Sequence, residues 1–396
     1  MKTLIVSVDY PLPENKGNRM RTMHFVRYFQ KRGVVDLMSY KSHAPMDVVE
    51  TPFRKEFFIE MNVNKSAENG NPFKGLYNKF VECKPWIVNS FTADTVKNIH
   101  EIICREDYDV ILCRYSVNAF PLLSLPEKYK KRVLLDIDDI MSSDLYDVVY
   151  GVKKGLVKTK AAIDKIIFKR YQMKCLELGK ILFCSEADRT KMSKCSKINN
   201  KYVVPNIIPQ QSLPENYEKL GLDNEYLLFV GVLSYRPNEL GIVWFIKEIF
   251  NKLPEEYGAL KLLVVGRDPQ EELKALCANN SRILLVENPP DVTPYFQKCK
   301  TVVVPVLVGG GTRIKILEAG NCYRPVITTN LGAYGLDLND RENVLYFNDR
   351  KSFISSLNWL NDDDNYAKMV NNLKATVDRK YTEQTFKRSM DDLLVA

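Results

Sequence analysis

What most constrains this chain is a strand–helix alternation that runs its whole length and restarts midway. Short β-branched apolar runs predict strands at Lys2–Val8, Val34–Met38, Asp109–Leu112, Arg132–Leu135, Lys180–Cys184 and Lys201–Val204. A second series follows at Tyr226–Val230, Leu260–Val265, Arg282–Val286, Thr301–Val304 and Pro325–Thr329. Strands that are apolar without alternation belong to parallel sheets covered on both faces. Between them, apolar residues recur at helical spacing over Arg19–Arg32, Ala161–Leu178, Ile242–Phe250, Gln270–Cys277 and Arg313–Ala319. The pattern predicts an α/β fold with doubly wound sheets. The series restarts after Pro205–Pro209, and the polar stretch Gln210–Glu225 reads as a linker. Two Rossmann-like halves would gather a ligand at the carboxyl ends of their strands.

Composition narrows the class. A chain of 396 residues, 45% apolar and 27% charged, is long enough for two or three cores and is neither disordered nor fibrous. Nine cysteines without a CxxC pair, several in apolar runs (Cys104, Cys113, Cys184, Cys322), predict buried free thiols in a reducing cytoplasm. Three histidines argue against a His-rich metal centre. No apolar run reaches the roughly 18 residues of a membrane span. The N-terminal run ends at Asp9 and a Pro-containing loop, and reads as a strand, not a signal peptide. A net charge of +8 favours an anionic ligand or surface. Nucleic acid is not the expected partner, because no stacking aromatic module or DNA-binding motif accompanies the charge.

The strongest local signal lies between Pro305 and Gly320, where an apolar strand runs into Gly309, Gly310 and Gly311, then Thr312, then a helical pattern. Three glycines lose much backbone entropy on folding, which suits a loop whose bare backbone approaches a ligand. Thr312 is the expected N-cap, with amides behind it that would face an anion. Arg313 and Lys315 oppose the helix dipole and so point to a strongly negative partner, most simply a diphosphate. Glu318 is placed to accept hydrogen bonds from a ribose diol. A flexible turn and a solvated glutamate are the plainer alternatives.

The segment GGGTRIKILEAGNCYRPVITTNLGAYGL resembles the C-terminal signature of retaining GT-B glycosyltransferases of family 4 (group 1). Phe229–Leu233 with Gly231, Leu263–Arg267 with Gly266, and Asp291–Val292 resemble the family's landmarks in order. Cys184–Asp188, Val204–Asn206 and the loop Tyr10–Arg21 do so more loosely. The resemblance implies a GT-B fold, two Rossmann-like domains facing each other across a cleft. The implied division is an acceptor domain over 1–208, a donor domain over 209–380, and a C-terminal helix over 381–396 that packs back on the first domain. It implies transfer of a sugar from a nucleotide diphosphate sugar to a glycan or lipid-linked acceptor, in surface polysaccharide or glycoconjugate synthesis. Glu318 matches the second Glu of the E-x7-E motif. The first falls on Gly310 and is missing, and two cations expected after Gly231 fall on Val232 and Pro237. Arg313 and Lys315, helped by Arg236, are then expected to neutralise the diphosphate. The donor set expected on this reading is Gly17, Asn18, Gly231, Arg236, Val292, Gly310, Gly311, Thr312, Arg313, Lys315 and Glu318, with Arg19 at the acceptor.

A second cluster, Asp136–Ile137–Asp138–Asp139, follows an apolar strand. It could orient an acceptor, hold a divalent cation as a DxD site, or cap a helix. The two-domain pattern favours Asp138 or Asp139 at the acceptor, with no metal and no other cofactor. Retaining GT-B chemistry needs no strong side-chain base. His24, His43 and His100 read as structural. The basic stretch Tyr150–Lys180, with Ile163, Ile166, Ile167 and Phe168 interleaved, either packs as an ordinary helix or makes peripheral contact with an anionic membrane. An epimerase of GT-B fold and a non-catalytic nucleotide-sugar-binding subunit remain as rival readings.

Overall fold

A computed structural model describes residues 1–7, 9–14, 16–41, 51–60, 85, 88, 90–138, 157–196, 198–209 and 226–395. The linker 210–225, Asp139, His43, Cys83, Lys153 and Lys154 lie outside the described residues, as do the side chains of 157–162 and 164. The chain divides into two compact units, Met1–Ile140 with Val152–Val204, and Pro205–Ala396.

The first unit is built on seven parallel strands: β1 (Lys2–Val6), β2 (Val34–Tyr40), β3 (Glu56–Ile59), β4 (Val110–Arg114), β5 (Val133–Ile137), β6 (Lys180–Phe183) and β7 (Lys201–Val203). Their order is β3-β2-β1-β4-β5-β6-β7. Every residue of β4 and β5 is buried, so the central strands present no face to solvent. The longer helices are α1 (Gly17–Gln30), α2 (Ala93–Glu106), α3 (Val157–Cys175) and α4 (Glu186–Ser193). Thr92 and Ser185 cap α2 and α4 through their hydroxyls.

The second unit repeats the plan with β8 (Tyr226–Val232), β9 (Lys261–Arg267), β10 (Ile283–Glu287), β11 (Thr301–Val304), β12 (Val326–Thr328) and β13 (Leu345–Tyr346). The order is β10-β9-β8-β11-β12-β13. Its helices are α5 (Arg236–Trp244), α6 (Glu271–Ala278), α7 (Thr293–Lys298), α8 (Ile314–Asn321), α9 (Arg350–Trp359), α10 (Asp363–Lys380) and α11 (Glu383–Val395). A π-turn, Phe245–Ile249, extends α5 and keeps Phe245, Ile246 and Ile249 in the core with Phe347 and Phe353.

In both sheets the order reverses beside the first strand, between β1 and β4 and between β8 and β11. This is the Rossmann arrangement, in which the strand ends at the reversal form a crevice for ligand. The expected strands all form, within a few residues at their ends. The pattern missed two edge strands, β3 and β13. The first is only partly buried and the second has two residues, so neither leaves a periodic signal. Cys113, Cys184 and Cys322 are buried free thiols, whereas Cys104 is exposed.

Candidate functional site

The second unit's site is assembled around Gly231, at the end of β8. A Cβ there would stand 2.8 Å from Asn238 Nδ2 and 3.1 Å from Lys315 Nζ, crowding both. The bare backbone therefore leaves room for two side chains from different elements. Asn238, in the first turn of α5, donates to the Val232 carbonyl at 3.0 Å. Its Oδ1 accepts from Lys315 Nζ at 3.1 Å, so Asn238 fixes the ammonium beside β8. The ammonium also lies 4.5 Å from the centre of the Phe229 ring. Burial, reinforced by the Arg313 charge and opposed by Glu318, pushes the Lys315 ammonium down to about 7. Burial likewise raises the Glu318 carboxyl, and Lys315 opposes that shift.

The glycine loop shapes the other side. Gly309 sits at φ +118° and Gly311 at φ +69°, backbone that side chains other than hydrogen rarely tolerate. A Cβ at Gly309 would also stand 3.1 Å from Arg313 Nη2. Arg313 folds back on the loop, donating to the Gly310 carbonyl and, at 3.3 Å, to that of Gly311.

One expectation fails here. Thr312 is not the N-cap. Arg313 holds that position in extended backbone (φ −92°, ψ 96°), and α8 starts at Ile314. The Thr312 hydroxyl is buried and accepts from Asn206 Nδ2 at 2.8 Å. Arg236 is not an unpaired cation either: it binds Glu239 at 2.8 Å across the first turn of α5. Val292 occupies the cap position of α7 and packs against the core, so it contributes backbone and wall.

In the first unit, parallel register sets the chemistry. Arg114 and Asp136 are register partners on β4 and β5, so their side chains emerge side by side. They form an ion pair with both side chains fully buried. Arg21, on the inward face of α1, adds a two-pronged contact to Asp136, Nε to Oδ2 at 2.9 Å and Nη2 to Oδ1 at 2.6 Å. Asp136 is thus a buried counterion, which removes it from any open DxD metal site. Asp138, two residues on, keeps 16% side-chain exposure. Arg114 Nη2 lies 3.4 Å from its Oδ2, and the Tyr115 hydroxyl donates to the same oxygen at 3.2 Å. Arg21 Nε is 3.8 Å from its Oδ1.

The α1 entry joins this cluster. Lys16 precedes the first helical residue, Gly17, and Asn18 and Arg19 lie in the first turn. Asn18 donates from Nδ2 to Asp9 at 2.5 Å, and its carbonyl accepts from Arg114 at 3.3 Å. Arg19 reaches back to the carbonyls of Leu12 and Pro13, both at 3.4 Å, and so braces the loop. His24 is buried; burial first, then Arg27, Arg21 and Arg114, holds its imidazole down to about 4 and neutral. His100 bonds the Pro121 carbonyl at 2.7 Å. On α3, Ile167 and Phe168 are core residues and Ile163 is half-buried, so the apolar side of that stretch packs inward; Ile166 is 54% exposed.

Sequence reasoning missed Arg21, Arg114, Tyr115 and Asn238. Arg114 left one trace, a lone arginine ending the apolar run Val110–Cys113. Arg21 left none, since surface and buried arginines look alike in a helical pattern.

Two parallel sheets of this order, with a glycine loop and two cations at the reversal of the second, define a chain of the GT-B class. Residues 224–363 match the family of glycosyl transferases group 1. The chain carries a glycosyltransferase group 1 domain and is a glycosyltransferase. It is 26% identical over 390 residues to an uncharacterized 44.6 kDa protein in the cps region of Klebsiella pneumoniae, covering 94% of this chain and 92% of that one. The fold is similar to sucrose-phosphate synthase from Thermosynechococcus elongatus, with a TM-score of 0.70, 16% identity, and coverage of 100% and 98% of the two chains. It is also similar to Anabaena HepE, solved with UDP and glucose, with a TM-score of 0.66, 14% identity and full coverage of both chains.

Proposed function

We propose that this chain transfers a sugar, with retention at the anomeric carbon, from a nucleotide diphosphate sugar to a glycan or lipid-linked acceptor in surface polysaccharide synthesis. The observation that carries the reading is the convergence of Lys315, Arg313 and the Gly309–Gly311 backbone beside Gly231 at the sheet reversal. A diphosphate supplies the negative charge that this otherwise unfavourable pair of cations requires. Glu318, one turn on, would accept from the ribose hydroxyls. The HepE complex with UDP-glucose and the cps location of the Klebsiella relative support the donor class and the pathway.

The donor would bind the second unit and the acceptor the first. The bond from the anomeric carbon to the diphosphate oxygen breaks, and a bond to the acceptor oxygen forms on the same face. The acceptor's proton passes to the departing diphosphate. Lys315 and Arg313 meet the charge that grows on that leaving group, so we assign the role of a divalent cation to these side chains. Gly310, standing where the family has a glutamate, removes one contact to the donor sugar. Where the acceptor is lipid-linked, Ile166, Lys169 and Arg170 of α3 form the surface that would rest on an anionic membrane.

The test is thermal unfolding with UDP, GDP, ADP, TDP and CMP, each with magnesium or EDTA. A ligand at 100 times its Kd stabilises the native state by about 2.7 kcal/mol. A shift with one diphosphate that survives EDTA is expected. A shift that needs magnesium would overturn the metal-free site, and no shift with any nucleotide would overturn the donor class. Co-sedimentation with vesicles, with and without anionic lipid, tests the membrane surface.

A further inference from the structure

The first unit holds a device that the donor site does not explain. Asp138 is the partly exposed end of a network whose other members, Arg21, Arg114 and Asp136, are buried. Asp136 offsets one guanidinium charge in the interior, where breaking such a pair is costly. The second guanidinium is left to face Asp138. Tyr115 completes the arrangement in backbone of φ +67° and ψ 142°, a conformation that non-glycine residues rarely adopt. Its amide bonds the Asp136 carbonyl, and its hydroxyl, which burial keeps protonated, donates to Asp138. The Asp138 carbonyl is held in turn by Cys184 Sγ at 3.1 Å. Both ends of this residue are therefore fixed from β4, α1 and the exit of β6.

Resting on the transfer reading above, we propose that Asp138 is a fixed hydrogen-bond acceptor for the incoming hydroxyl, and that Tyr115 and Arg114 are the residues that position it. Arg114 and Arg21 lie 3.4 and 3.8 Å from its two oxygens, and a carboxylate fixed in this way suits orientation of the hydroxyl. The hydroxyl proton stays on the acceptor oxygen until the diphosphate leaves and takes it. Asp138 chooses the direction from which the oxygen approaches, and gains no proton.

This assignment separates two variants that a catalytic base would make equal. Asp138→Asn keeps an oxygen that can orient the hydroxyl, so its kcat/KM for acceptor should stay within about tenfold of wild type. Asp138→Ala removes the oxygen and should lose about a hundredfold. Tyr115→Phe keeps the ring and deletes one hydrogen bond. It should lower kcat/KM for acceptor by about tenfold while leaving the KM for donor unchanged. Equal losses in Asp138→Asn and Asp138→Ala would make Asp138 a base and overturn the assignment. Wild-type acceptor kinetics in Tyr115→Phe would overturn the positioning role. Failure of the wild-type chain to bind any nucleotide diphosphate would instead sink the transfer reading, so the two failures are distinguishable.

Discussion

At the reversal of the first sheet the cations lie behind the carboxylates: Arg21 and Arg114 are 1% and 0% exposed, and Asp138 faces outward. At the reversal of the second sheet Lys315 and Arg313 stand at the loop itself, half-buried, and the carboxylate of Glu318 follows one turn later in α8. The strand orders are the same apart from one extra edge strand in the first unit. Topology thus fixed where each unit presents its chemistry, and the placement of a few charged side chains fixed what that chemistry is. A loop that presents cations suits a diphosphate. An edge that presents a balanced carboxylate suits a neutral hydroxyl.

The largest effect should come from breaking the buried side of this contrast. Arg21→Met leaves Asp136 with one partner in the interior and should destabilise the first unit by roughly 3–5 kcal/mol. Chemical denaturation would show it. A loss under 1 kcal/mol would mean that Arg114 alone satisfies Asp136.

On the second unit, Lys315→Ala should weaken binding of the diphosphate by about 1.5–3 kcal/mol, because a charged hydrogen bond to ligand is lost. Titration calorimetry reads it directly. Unchanged affinity would move the diphosphate away from Gly231 and blunt the comparison.

The same ammonium makes donor binding sensitive to pH. With its folded value near 7, Lys315 is mostly neutral at pH 8, and binding an anion must recharge it. Donor affinity should therefore fall as pH rises above 7, by at most about tenfold per unit, with proton uptake on binding. The unfolded chain would hold this proton up to its ordinary value of 10.5, so the Lys315 contribution to stability should rise with pH across that window. Calorimetry in buffers of different ionisation enthalpy checks the uptake, and Lys315→Met should abolish it.

On the glycine loop itself, the informative change is Gly309→Ala. It places a methyl group 3.1 Å from Arg313 at φ +118° and should cost about 1–3 kcal/mol, shared between loop order and donor affinity. Thermal unfolding with and without nucleotide separates the two shares.

The apolar runs fixed the strands, since an all-buried run such as Val133–Ile137 has few other places to go. Their restart after Pro209 and the glycine-rich signature pointed to two Rossmann-like halves with a diphosphate site in the second. These features are local, written in consecutive residues, and so legible in order. What needed the tertiary structure was every pairing across distance. Asp136 and Asp138 look equivalent in the sequence, yet register beside β4 hands the first to Arg114 and leaves the second at the edge. Thr312 had the chemistry of a helix cap, but Asn206 takes its hydroxyl and the helix starts later. Lys315 read as a cation for a diphosphate, but that it lies against Phe229 and Asn238, beside a Gly231 without a side chain, only the fold shows. Periodicity records which residues are apolar, and so determined the fold. The partner of a charged side chain depends on which strand lies beside it, and that only the folded sheet decides.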